Sequence, residues 1–333
     1  MANDYPFEMK REVPENSKGE KLQPIVRVGP KGYAFPENFK NIASDIYNIE
    51  VRSSDVFVFS FPRSGTTWTQ ELVWLVLNDL DYEAAAKTPL TERYLFLEFS
   101  MIFDEGLKEK LYEANKHDED LLKDAKFVSD PVFDLIKKQD SPRFFKSHLP
   151  LSLLPPSALK AKMVHVARDP RDAMLSFYHL MNSMTLSNLR GDFKDFWEAA
   201  IKDLHSWTPY FENVKESWEM RDHPNLLFLF YEDMRKDLPS AVRRVCDFFG
   251  KKYNNEQIAR LCDHLSFESF KNNPSVNYDL MKELGLMKSD KEFVRKGKSG
   301  GWRENFDEEM TAQAEKWIAD NLKDTDMKFP SMQ

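Results

Sequence analysis

The stretch Ser60-Phe61-Pro62-Arg63-Ser64-Gly65-Thr66-Thr67-Trp68 holds the residue types best suited to gripping an anion. An apolar run rich in Val and Phe enters a turn bearing glycine and hydroxyls, and helical spacing follows. Such a turn aims successive N–H groups at one point, and a helix N-terminus adds partial positive charge. Ser64, Thr66 and Thr67 add hydroxyl donors, and Arg63 adds a fixed cation. The chemistry this favours is a phosphate cradle. An ordinary capped helix explains each hydroxyl alone, but not the whole string. The Walker A pattern G-x-x-x-x-G-K-[ST] is absent, which disfavours an ATP- or GTP-hydrolysing machine.

Four further strings carry chemistry. Lys146 and His148 lie two apart at the end of a predicted strand. Side chains at that spacing share a face, and the carboxyl ends of parallel strands border the ligand crevice. His148 can act as a general base on a hydroxyl, and Lys146 can stabilise developing negative charge. Taken singly, a histidine is more often structural; its place after a strand and before Pro150 favours catalysis. Arg168 ends another strand, with Ser176 about two helical turns later; a guanidinium fork suits phosphate. Arg171 and Asp172 read as a salt-bridged pair. Tyr231 follows the apolar run 225–230 and can wall the crevice. Arg295, Lys296, Gly297 and Lys298 form a basic, glycine-rich loop that can wrap an anion or remain simply solvated.

These residues need a scaffold, and the periodicity supplies one. Strands are predicted over 55–62, 143–148, 162–168 and 225–231. Helices are predicted over 66–78, 169–183, 193–206, 209–221, 238–249, 255–264 and 307–321. Residues 79–140 are charged and helix-favouring with no strong strand, a place for a segment that covers a substrate. Alternating strands and helices imply α/β architecture: one domain whose central, mostly parallel sheet is flanked by helices. Residues 1–32, charged and punctuated by Pro and Gly, are expected to be a loosely packed lead-in to a domain over 33–333.

Composition narrows the function further. The 333 residues carry 47 Lys plus Arg against 55 Asp plus Glu, a net charge of −8, so a protein-wide nucleic-acid face is not expected. Two cysteines, Cys246 and Cys262, exclude a disulfide framework or a Cys-based zinc site. No metal-ligand spacing is evident. The N-terminus lacks the apolar stretch of a signal peptide, and no apolar run approaches the roughly 20 residues of a membrane span. A cytoplasmic protein is expected.

Taken together and in order, SFPRSGTTW, FFKSHLP, ARDPRDAMLSFY, FLFYED and FVRKGKSGGW resemble the cytosolic sulfotransferase family, and HLSFESFKNNPSVNY at 264–278 adds a sixth string. The resemblance spans roughly residues 20–306. It implies a P-loop-like fold and 3′-phosphoadenylyl sulfate (PAPS) as co-substrate, released as adenosine 3′,5′-bisphosphate, with no metal. It implies a 5′-phosphosulfate loop at Arg63, Ser64, Gly65, Thr66 and Thr67. By the same token Trp68 and Phe267 would stack on adenine, with Tyr231 near it. Arg168 and Ser176 would grip the 3′-phosphate, joined by Arg295, Lys296 and Gly297. His148 would be the base, with Lys146 and Arg63 assisting at the transferred group. The acceptor would be a small lipophilic phenol, steroid, retinoid or other alcohol. Its pocket is expected near 33–39, 80–135 and 177–184. The chain departs from the family's pattern at Arg63, where Lys is usual, and at Leu265, where Thr is common. A homodimer is compatible with the chain, though the family's usual dimer motif is not intact before Asp307. Two other readings compete: a non-catalytic binder of an anionic nucleotide or lipophilic ligand, and a nucleoside kinase.

Overall fold

A computed structural model describes residues 5–16, 18–187, 189, 191–294 and 297–332. Eight strands carry the architecture: β1 Met9–Glu12, β2 Ile25–Val28, β3 Tyr33–Pro36, β4 Val56–Phe59, β5 Leu95–Phe96, β6 Phe144–Ser147, β7 Lys162–Ala167 and β8 Leu226–Phe230. Five of them form one sheet in the order β5-β6-β4-β7-β8, every neighbouring pair parallel. The strands predicted from Val- and Phe-rich runs all lie in it. Strand β4 sits at its centre and is buried on both faces. That burial is why its sequence reads VFVF without polar alternation. Phe57 and Phe59 enter one apolar cluster with Phe145 and Met163. Val56 and Val58 enter a cluster on the other face with Val164, Val166 and the helix Thr66–Leu77.

From β4 the chain goes first to β5 and β6 on one side, then to β7 and β8 on the other. The order therefore reverses at β4, and the crevice opens beyond its carboxyl end. The motifs of the sequence leave β4, β6, β7 and β8 at that same edge. Asp55 and Arg143 tie the opposite ends of β4 and β6 with a buried pair, Nε to Oδ1 at 2.9 Å and Nη2 to Oδ2 at 2.5 Å.

Two stretches differ from expectation. Residues in the supposed lead-in form β1 and β2, an antiparallel sheet completed by β3. Val28 is wholly buried, and β3 is bonded to a distant loop through Ala34 N–H to Thr208 O and Trp207 N–H to Ala34 O. Strands of only four residues, MKRE and IVRV, are too short for a period-2 search to detect. The segment 79–140 also holds β5, whose two residues are too short to leave a pattern. Its helices Glu105–Asn115 and Glu119–Ser129 are each N-capped by aspartate side chains, Asp104 and Asp118. Leu111, Ala125 and Val128 from this pair pack on Met281, Leu284 and Met287. The predicted helices form at their expected positions, though the two after residue 190 are shorter, Phe193–Ala200 and Tyr210–Glu219, and short helices such as Tyr231–Lys236 and Asp279–Glu283 fall outside the expected set.

Candidate active site

A cavity of about 870 Å³ lies beyond the carboxyl edge of the sheet, and the turn after β4 and His148 both line it. The turn is built on strained backbone. Arg63 takes φ +67 and Gly65 φ +108, and the helix Thr66–Leu77 starts immediately. The first N–H groups of that helix have no acceptor within it, so Thr66, Thr67 and Trp68 present them at the cavity wall. Only glycine fits at 65: a Cβ there would stand 2.8 Å from Tyr231 Cδ2. The turn's hydroxyls serve it less than the sequence suggests. Ser64 is fully buried beneath the turn. Ser60 Oγ bonds Phe61 O and, at 2.5 Å, Thr66 Oγ1, so the Thr66 hydroxyl is engaged inside the protein.

Arg168 bridges the two loops that close the cavity. One Nη1 bond reaches Arg63 O at 3.0 Å and one Nη2 bond reaches Lys298 O at 3.0 Å. Its guanidinium lies 4.5 Å over the Tyr231 ring, and its buried Nε has no partner among the described residues. Ser176 Oγ accepts from Arg63 Nε at 3.1 Å, and Arg63 Nη2 donates to Phe293 O at 3.0 Å. Trp68, Tyr231 and Phe267 line one end of the cavity. Trp68 is oriented by its indole N–H donating to Leu265 O at 2.9 Å, and it meets Tyr231 edge to face at 5.7 Å. Gly297, at φ +56, packs so closely on Phe267 that a Cβ would lie 2.3 Å from the ring. Arg295 and Lys296 lie outside the described residues. An unpartnered guanidinium nitrogen, a row of helix N–H groups and two glycines pressed to aromatic rings fit a flat base carrying phosphates.

The expected pairing of Arg171 with Asp172 is not what forms. Arg171 grips Asp169, Nε to Oδ1 at 2.9 Å and Nη2 to Oδ2 at 2.7 Å. Asp172 instead accepts from Gly300 N at 2.5 Å and Trp302 N at 3.0 Å, fixing the glycine-rich loop to the helix Pro170–Ser183.

His148 Nδ1 lies 2.8 Å from Ser60 O. A carbonyl only accepts, so Nδ1 carries the proton and Nε2 keeps its lone pair. Burial, then the charge of Lys146, holds this imidazole well below its usual pKa, against a smaller opposing effect of the Ser60 bond. It is therefore neutral and able to take a proton. Lys146 Nζ donates to Tyr278 Oη at 3.1 Å and sits 4.1 Å over the Phe96 ring.

Sequence reasoning missed several residues here. Tyr278, in the left-handed region at φ +61, packs on Phe293 with ring centroids 4.2 Å apart and tilted by 33°, and lines the cavity. Glu98 is fully buried beside His148, and burial pushes its carboxyl up to about 7, with bonds from His148 and Ser147 opposing. Its one signal was a charge inside the apolar run 95–99. Away from the turn, apolar side chains make up much of the cavity wall. Pro36 reaches it, whereas Tyr33, Phe35 and Phe39 are core. Phe99, Met101, Leu107 and Phe127 come from the 79–140 segment, and Phe177, Met181 and Met184 from the helix after Arg168 and its end. No helix among the described residues is long and apolar enough to cross a membrane.

The comparisons with known proteins agree with this geometry. The family model described as "Sulfotransferase domain" matches residues 53–326. Luciferin sulfotransferase of Photinus pyralis is 33% identical over 305 residues, covering 89% of this chain and 79% of that protein. Sulfotransferase 1B1 of Mus musculus is 31% identical, covering 90% of this chain and 92% of the other. A crystal structure of retinol dehydratase in complex with retinol and PAP superposes with a TM-score of 0.90 at 48% identity, covering 98% of this chain and 99% of that one. A second, with androsterone and inactive cofactor PAP, gives 0.90 at 47% with the same coverage.

Proposed function

The chain belongs to the sulfotransferase family and is a sulfotransferase; from that premise we propose that it moves the sulfuryl group of PAPS to the hydroxyl of a small lipophilic alcohol of retinoid or steroid type. The observation that carries this is the meeting of two different chemistries in one cavity. A turn suited to phosphates lies at one end, and a neutral imidazole with a free lone pair faces an apolar chamber at the other. Trp68, Tyr231 and Phe267 would hold the adenine, and Arg168, Ser176, Arg295, Lys296 and Gly297 the 3′-phosphate. The turn's N–H groups would hold the 5′ end. The acceptor class rests on the chamber's Phe and Met lining and on the retinol and androsterone complexes of the similar dehydratase.

In the reaction, His148 Nε2 takes the acceptor's hydroxyl proton. The acceptor oxygen bonds to sulfur in line as the bridging S–O bond breaks, its electron pair leaving with adenosine 3′,5′-bisphosphate. Arg63, Lys146 and the N–H groups of the turn hold charge that builds on the equatorial and leaving oxygens. Positioning and electrostatics suffice, with no covalent enzyme intermediate. The test is turnover with PAPS against phenols, steroids and retinoids, assaying both sulfate esters and dehydrated alkenes. Product that requires PAPS, with ATP unable to replace it, is expected. Nucleotide binding without product from any acceptor would overturn the reading in favour of a binding protein.

A further inference from the structure

We propose that Glu98 is a positioning residue for the reaction, holding the His148 base in place through its backbone and the aromatic wall beside its ring. The proposal rests on the reading of His148 as the base. Three donors converge on the one carboxylate: His148 N at 2.5 Å and Trp207 Nε1 at 3.3 Å on Oε1, and Ser147 Oγ at 2.9 Å on Oε2. These come from the end of β6 and from a loop about 60 residues later in the chain. Glu98 itself follows β5, and two residues before it Phe96 meets the imidazole edge to face at 5.2 Å. Trp207 meets the imidazole at 5.7 Å and 82°. The base thus stands between two aromatic rings, one on the segment that carries Glu98 and the other bonded to its carboxylate.

The charge is the unusual part. Glu98 is wholly buried, yet among the described residues no Lys or Arg forms an ion pair with it. Burying an acid costs heavily unless donors compensate, and a purely structural anchor for three donors does not require a formal charge. Burial holds the carboxyl at about 7, so it is partly ionised at neutral pH, and its ionised form favours the cation that develops on His148 as the proton transfers. Asn213 Nδ2 binds the His148 carbonyl at 3.1 Å and completes the backbone grip from another element.

The test is steady-state kinetics of Glu98→Gln, which keeps the side-chain shape and removes the charge and one acceptor. Misplacing a reacting group by about 1 Å can cost about 100-fold, so kcat is expected to fall about 10- to 100-fold while the KM for PAPS stays within twofold. Glu98→Asp is expected to recover part of that loss, because it restores the charge. In a His148→Ala background the same Glu98→Gln change is expected to add less than twofold, since no base remains to position. An unchanged kcat in Glu98→Gln overturns the proposal. So does a loss of equal size in the His148→Ala background, which assigns Glu98 to structure alone. If Glu98→Gln does not fold, Trp207→Phe, which removes one donor and keeps an aromatic side chain beside the imidazole, carries the same comparison. Full activity in His148→Ala would instead refute the base itself.

Discussion

Replacing Gly65 with alanine tests the donor end of the cavity with a single methyl group. At φ +108 and ψ 15, residue 65 lies where an L side chain is strained by about 1–3 kcal/mol. The new Cβ would stand 2.8 Å from Tyr231 Cδ2 and 3.5 Å from Cε2. Carbon atoms ordinarily meet at about 3.5–4.0 Å, so the ring must retreat by roughly 0.7–1.2 Å. It has little room to do so. Tyr231 is 8% exposed, with Arg168 stacked 4.5 Å from its centroid and Trp68 against its edge. Any retreat therefore disturbs the guanidinium assigned to the 3′-phosphate and the indole assigned to adenine. Gly65→Ala is expected to weaken binding of adenosine 3′,5′-bisphosphate at least about tenfold, or about 1.4 kcal/mol, with a lowered thermal midpoint. Isothermal titration gives the first quantity and scanning calorimetry the second. In a Tyr231→Leu background the methyl has less to strike, so the additional loss should shrink. Affinity within twofold of the parent in Gly65→Ala would refute the claim that this turn and ring form the donor site.

Two further outcomes are expected. Removing the imidazole in His148→Ala should cut kcat by about 10²–10⁴-fold while the product nucleotide still binds with near-parental affinity; a parallel loss of nucleotide binding would place His148 in the donor site instead. His165, wholly buried between Phe59 and Phe228 with no partner for either ring nitrogen among the described residues, is pushed by burial down to about 3. Below the unfolded value of about 6.5 the unfolded chain takes up a proton that the folded chain refuses, so this site costs stability as pH falls from there toward 3. His165→Phe should therefore gain thermal midpoint relative to the parent at pH 5 compared with pH 8, whatever its packing offset. A gap independent of pH would contradict a buried neutral imidazole.

Much of the site was legible in the sequence because its parts are local. A strand that is covered on both faces must be apolar along its length, and a chain that leaves it into an anion-binding turn must supply glycine and a helix start. Both demands fall between Val56 and Trp68. The same holds for Lys146 and His148, whose shared face follows from period 2, and for Arg168, placed by the end of β7. Hence the α/β class, the order of the motifs and the catalytic candidates could be read without coordinates. Short pairings left too little pattern: β5 has two residues, and β1 and β2 have four each.

What tertiary structure alone decided is which groups meet. Asp172 was expected to pair with its neighbour Arg171 and instead holds Gly300 and Trp302, far along the chain. The Thr66 hydroxyl turned inward to Ser60, leaving the backbone N–H groups to face the cavity. Glu98 reaches Ser147, His148 and Trp207, and Tyr278 reaches Lys146. Residue type and spacing determine what a segment can offer, because strand, turn and helix geometry act over a few residues. The partner that accepts the offer comes from packing between distant segments, which obeys shape and burial across the whole molecule and leaves no periodic trace in the chain.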